Sequence, residues 1–152
     1  MVNTGIPSTH WQSLHAHPKP RTRTLHTPGK SVLVSSYTNS ALDSILLKLI
    51  DMNVDVVRLG RAQAVHPGVA GHVLGGARFP DTTVAGLQTT ANATAVVAAT
   101  CLGTNHPLLE RRVFDVAIVD EAGQVTVPAV LGPLLKVRVE KKGAVLLRRV
   151  CD

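Results

Sequence analysis

The stretch Val113–Gln124, "VFDVAIVDEAGQ", decides how the rest of the chain is read. Val116, Ala117, Ile118 and Val119 are apolar on both alternating faces, the pattern of a strand covered on two sides. It ends on two adjacent carboxylates, Asp120 and Glu121. In parallel α/β sheets ligands collect beyond the carboxyl ends of the strands, so this pair emerges into a crevice. A first carboxylate there can hold magnesium, usually through water, while the next orients or deprotonates an attacking water. Gln124 adds a group able to sense a phosphate or a water. The two carboxylates alone fit equally well an acidic turn opening the next helix, because acidic side chains suit helix starts.

A catalytic pair of this kind works opposite a phosphate-binding loop. The tempting candidate is "TPGKS", Thr27–Ser31. A phosphate loop needs G-x-x-x-x-G-K-[ST] between a strand and a helix, because its amides wrap the phosphates at a helix N-terminus. Thr24 stands where the first glycine belongs, and an apolar strand rather than a helix follows Ser31. Lys30 therefore reads as a solvated residue entering a strand. The glycines of "GVAGHVLGG" have no G-x-G-x-x-G spacing after a strand, so no dinucleotide site is expected there.

Working outward, "SVLVSS" reads as a strand, "SALDSILLKLIDM" as a helix with Ser40 and Asp43 in an N-terminal capping pattern, and "VDVVRLG" as a second strand. Strand, helix and strand make a parallel βαβ unit. Residues 60–93 read as loop with one short helix near 82–92. "TAVVAATCLG" is a buried strand, a short polar helix is expected around 104–111, and "QVTVPAVLGPLL" is a helix broken near Gly132 and Pro133. Cys101 follows its strand as a buried structural thiol rather than a nucleophile, since no third orienting group accompanies His106. Arg58 and Arg61 of "RLGR" read as surface arginines.

The chain of 152 residues suits one domain, with a core of Val, Leu, Ile and Ala because aromatics make up only 3%. The formal charge of +6 favours a polyanionic partner, although no acidic residue precedes Asp43 and Lys136–Asp152 carries six basic groups against two acidic ones. Much of the basicity thus belongs to the ends. Residues 1–30 read as a disordered basic leader, residues 31–136 as the folded part and residues 137–152 as a divergent basic tail. Three histidines in the leader, His10, His15 and His17, lack the cysteine partners of a metal site. Two cysteines build no disulfide framework, and with no secretory signal or long apolar run the expectation is an intracellular, soluble protein.

Three segments fall into one known order: "SVLVSSYTNSALDSILLKL", "VVRLGR…VHP" and "VVAATCLGTNHPLLERRVFDVAIVDEAGQVTVPAVLGPL". Together, from about Ser31 to Leu135, they resemble the first motor domain of the DNA replication ATP-dependent helicase/nuclease family, within the superfamily 1 helicases. The resemblance implies an α/β fold of RecA-like, P-loop NTPase type: a parallel sheet with flanking helices, incomplete because the phosphate-loop strand and helix are lacking. It assigns Asp120 and Glu121 to the magnesium-binding and hydrolytic carboxylates of helicase motif II, and Gln124 to that motif's glutamine. Gly123 departs from the family's usual serine. Ser36, Tyr37, Thr38 and Asn39 match a loop that touches single-stranded DNA, and Thr100 and Cys101 fall in a later DNA-facing motif.

The implied cofactors are ATP and Mg²⁺, and the implied partners are single-stranded DNA and a second RecA-like domain. The implied location is the nucleus, with the mitochondrion as a second compartment. The family's G-x-G-K-T loop, its motif III, its second motor domain and its nuclease domain are not among these residues. The expectation is a fragment without ATPase activity. The competing readings are a non-catalytic short isoform that binds nucleic acid weakly, and an inert truncated product.

Overall fold

The computed structural model describes residues 29–138 and 144–147. Residues 1–28 of the expected leader (1–30) and most of the basic tail lie outside the described residues. Five parallel strands form one sheet: β1 (Val32–Ser36), β2 (Val56–Arg58), β3 (Val96–Thr100), β4 (Val116–Val119) and β5 (Ala144–Leu147), in the spatial order β2-β3-β1-β4-β5. β1 and β2 are parallel as expected for strands joined by a helix, but β3 inserts between them. β5 falls in a stretch expected to be tail, so the sheet extends past residue 136.

The helices are α1 (Asn39–Asp51), the single turn α2 (Pro67–Ala70), α3 (Val84–Ala93) and α4 (Val127–Leu135). Successive side chains of a strand face opposite sides of the sheet, and the core divides accordingly. Val34, Val56, Val96 and Ala98 pack with Leu42 and Leu46 of α1. Leu33, Val57, Val97, Ala99 and Ala117 pack on the other face with Leu108, Leu109 and Phe114, and Leu87 of α3 joins them. The near-continuous apolar runs of β1, β3 and β4 are explained by this two-sided cover.

Several local expectations change. Thr38, not Ser40, caps α1: its Oγ1 accepts from the Ala41 amide at 3.2 Å. The segment expected as a helix over 104–111 is two 3-10 turns, Leu102–Asn105 and Pro107–Leu109, held short by Pro107. α4 runs unbroken through Gly132 and Pro133. Gly132 is needed there because a Cβ would lie 2.4 Å from Thr104 Oγ1 and 2.8 Å from the Cys101 carbonyl oxygen. α4 thereby docks closely on the turn after β3, and that packing offsets the hydrogen bond Pro133 cannot donate. Among the described residues no helix is long and apolar enough to cross a membrane.

Candidate functional site

Parallel register brings the candidate residues to one edge. Ser36 lies beside Thr100, and Ser35 beside Val119, so Ser36, Thr100 and Asp120 stand at one level on three neighbouring strands. The Asp120 amide donates to the Ser35 carbonyl at 2.9 Å and the Cys101 amide to the Ser36 carbonyl at 2.9 Å, which extends the ladder to the strand ends. Asp120 is buried, 7% exposed. Glu121 follows with a positive φ of 54°, a left-handed conformation that a non-glycine residue adopts at a cost. This bend turns the chain directly after β4, and the Gln124 amide closes it on the Glu121 carbonyl at 2.9 Å. Gln124 itself is exposed.

Beside this pair, Ser36 is fully buried and its hydroxyl has no hydrogen-bond partner among the described residues. Tyr37 is 47% exposed, and Thr38 and Asn39 are exposed at the start of α1. Thr100 is partly exposed, its hydroxyl accepting from the Gly103 amide at 3.1 Å. Cys101 differs from the DNA-facing role that the resemblance implies. Its thiol is 1% exposed, packs with Val119 and Ala129, and accepts from the Ser35 hydroxyl at 3.5 Å. Burial pushes the thiol's pKa up, keeping it protonated, and leaves the side chain no face towards the sheet edge.

Oxygen donors at a strand end are the chemistry that a hard divalent cation takes. Magnesium is commonly bound by one or two carboxylates together with water and substrate phosphates, so Asp120 and Glu121 fit it as far as the protein's share goes. The described residues hold no group of three or more His, Cys, Asp or Glu arranged for a metal. "GKS" is at the wrong end of the sheet. Ser31 precedes β1, its amide and hydroxyl donating to Asp115 Oδ2 at 2.8 and 2.9 Å just before β4. Lys30 is therefore separated from Asp120 by the full length of a strand, roughly 15–20 Å at about 3.3 Å per residue.

Arg58, expected on the surface, is instead 1% exposed near the carboxyl edge of the sheet, which the sequence alone does not reveal. Its Nε donates to Asp43 Oδ1 at 3.2 Å and its Nη2 to Asn39 Oδ1 at 2.7 Å, while Nη1 donates to the Leu59 carbonyl. Asp43 completes the network by accepting from the His66 amide at 2.7 Å. The available signal is an arginine ending an otherwise apolar strand, with an acid one turn into the preceding helix. Their separation of 15 residues hides the pairing. A groove of about 520 Å³ opens alongside, between Asn39, Asp43 and Leu47 of α1 and the Ala64–His66 segment.

Comparisons with known proteins bear on the family and the fold. The family model described as AAA domain matches residues 81–146. The DNA replication ATP-dependent helicase/nuclease of Arabidopsis thaliana is 40% identical over 131 residues, covering 86% of this chain and 10% of that protein. Its counterpart in Xenopus laevis is 46% identical over 121 residues, 74% of this chain and 11% of the relative. That of Saccharomyces cerevisiae is 43% identical over 112 residues, 72% of this chain and 7% of the relative. The chain spans about a tenth of the length of the curated relatives it matches. With an incomplete RecA-like parallel sheet and this identity over most of its length, the chain belongs to the DNA replication ATP-dependent helicase/nuclease family.

Proposed function

We propose that these residues are part of a DNA-translocating ATPase motor, and that by themselves they bind single-stranded DNA without turning over ATP. The observation that carries the reading is the register that sets Ser36, Thr100 and Asp120 at one level of the sheet edge. It makes the loop from Ser36 to Asn39 the immediate neighbour of the carboxylate pair; Ser36 is fully buried, so the groups it offers are the Thr38 hydroxyl, the Asn39 amide and one tyrosine. Short donors suit phosphates, and a tyrosine face suits a base. When nucleotide and Mg²⁺ are bound, they supply the phosphoryl group and the charge that neutralises it. This chain's share would be Asp120 to hold the metal and Glu121 and Gln124 to orient the attacking water.

These 152 residues contain no G-x-x-x-x-G-K-[ST] sequence. Losing one preorganised donor commonly costs about 10²–10³ in rate, and here a whole phosphate cradle is wanting. Hydrolysis thus requires the rest of the motor, including a second RecA-like domain. The same reading implies work in the nucleus, and in the mitochondrion where DNA is also replicated.

The test is phosphate release by the purified chain with ATP and Mg²⁺, with and without an unlabelled oligothymidylate, together with anisotropy of a labelled one. The reading expects no DNA-stimulated release and binding that weakens steeply between about 50 and 200 mM salt. DNA-stimulated turnover would refute the inactivity. No binding at low salt would favour the inert-product reading, to which the exposed apolar row Val127, Leu131 and Leu135 on α4 lends support.

A further inference from the structure

A buried guanidinium is an expensive way to fill a core. Methionine or leucine at the end of β2 would satisfy packing alone, and replacing a buried ion pair by apolar groups is often neutral or better for stability. What apolar side chains cannot do is bond three polar groups at once. Arg58 presents a rigid fork of donors, and each arm is used. One arm reaches Asn39, the first residue of α1; another reaches Asp43, one turn further along; the third reaches the Leu59 carbonyl. Through Asp43 the grip extends to the His66 amide and the wall of the neighbouring groove.

Gly60 completes the seat. Its φ is +151°, and a Cβ there would lie 3.1 Å from Arg58 Nη1. The guanidinium is thus packed closely against a glycine, paired with a carboxylate, and bonded to an exposed side chain. Asn39 is the last residue of the Ser36–Asn39 loop, and Tyr37 stands two residues before it. Holding Asn39 fixes the point where this loop enters the helix.

We propose that Arg58 is a positioning residue for the Ser36–Asn39 loop, clamping Asn39 through its buried guanidinium so that Tyr37 and its neighbours are preset for single-stranded DNA. The proposal rests on the reading of that loop as DNA-facing. It assigns Arg58 no contact with DNA, because a side chain 1% exposed cannot reach a phosphate. Presetting raises affinity by removing the ordering cost from the binding step.

The chain has a single tyrosine, so 3-fluorotyrosine labelling gives one ¹⁹F resonance located in the loop. In the full chain this resonance should be narrow and should shift when oligothymidylate is added. In Arg58→Lys, which keeps the charge but replaces the fork with a single ammonium, it should move towards the position of free fluorotyrosine. DNA affinity should fall about five- to tenfold with an unchanged slope of log K against log salt, since no phosphate contact is removed. Circular dichroism melting separates loop release from unfolding. Should Arg58→Lys fail to fold, Asn39→Ala cuts the same contact from the exposed side, and its ¹⁹F line without DNA should move in the same direction. An unmoved line in a folded variant would overturn the clamp. A parent line indifferent to DNA would overturn the DNA-facing premise, and the proposal with it.

Discussion

The two edges of the sheet each bury one arginine, and the contrast between them separates a bonded network from simple filling. At the carboxyl edge Arg58 meets a carboxylate, an amide oxygen and a backbone carbonyl. At the amino edge Arg112 meets only the Thr94 carbonyl, lies 4.6 Å over the Phe114 ring, and leaves Nη1 without a hydrogen-bond partner among the described residues. Burial lowers the pKa of both; for Arg112, with no carboxylate to offset it, the value falls to about 10. Arg58 is built into a network that reaches the candidate site. Arg112 covers an aromatic ring and plugs the far end.

Mutation should separate them widely. Asp43→Ala leaves the Arg58 charge buried and unpaired, and should cost about 3–5 kcal/mol by urea denaturation. Arg112→Met removes a charge that has no carboxylate, together with one hydrogen bond and a ring contact, and should stay within about 1 kcal/mol of the parent. Comparable losses at the two positions would erase the contrast. Glu121→Gly relieves the positive φ and should raise stability by up to about 1 kcal/mol while deleting a carboxylate assigned to water activation. A loss of stability there would mean that the bend is held by the side chain.

The smallest effect belongs to pH at the amino edge. Hydrogen bonds from the Ser31 amide and hydroxyl, helped by Arg138 and Lys30, hold the Asp115 carboxyl below its usual range. A depressed folded pKa contributes stability that is complete above the unfolded value, near 4, and is lost as pH falls through the folded one. Ser31→Ala should therefore lower the melting temperature slightly at pH 7. The difference should shrink below about pH 4.

How much of this is legible in sequence follows from how local each signal is. β1, β3 and β4 announce themselves because burial on both faces makes their apolar runs continuous, and α1 does so through Leu42, Ile45, Leu46 and Leu49 at helical spacing. The carboxylate pair is readable because it sits directly on the end of such a run. β5 is a brief apolar run between basic residues, and only its pairing with β4 makes it a strand. The continuity of α4 through Pro133 depends on the close approach of Gly132 to Thr104, a contact across 28 residues. Arg58 is hidden for the same reason: a charge looks solvated until the partner that buries it is known.

The claim that the carboxyl edge, and not the "GKS" at the opposite edge, is the functional face has a direct test. Affinity for a labelled oligothymidylate would be measured at about 0.1 M salt for the parent chain, Tyr37→Ala and Lys30→Ala. Losing a stacking face should weaken binding about tenfold, some 1.4 kcal/mol, while losing Lys30 should change it less than about twofold. A Lys30→Ala loss equal to or larger than that of Tyr37→Ala would contradict the assignment and move the functional face to the other end of the sheet.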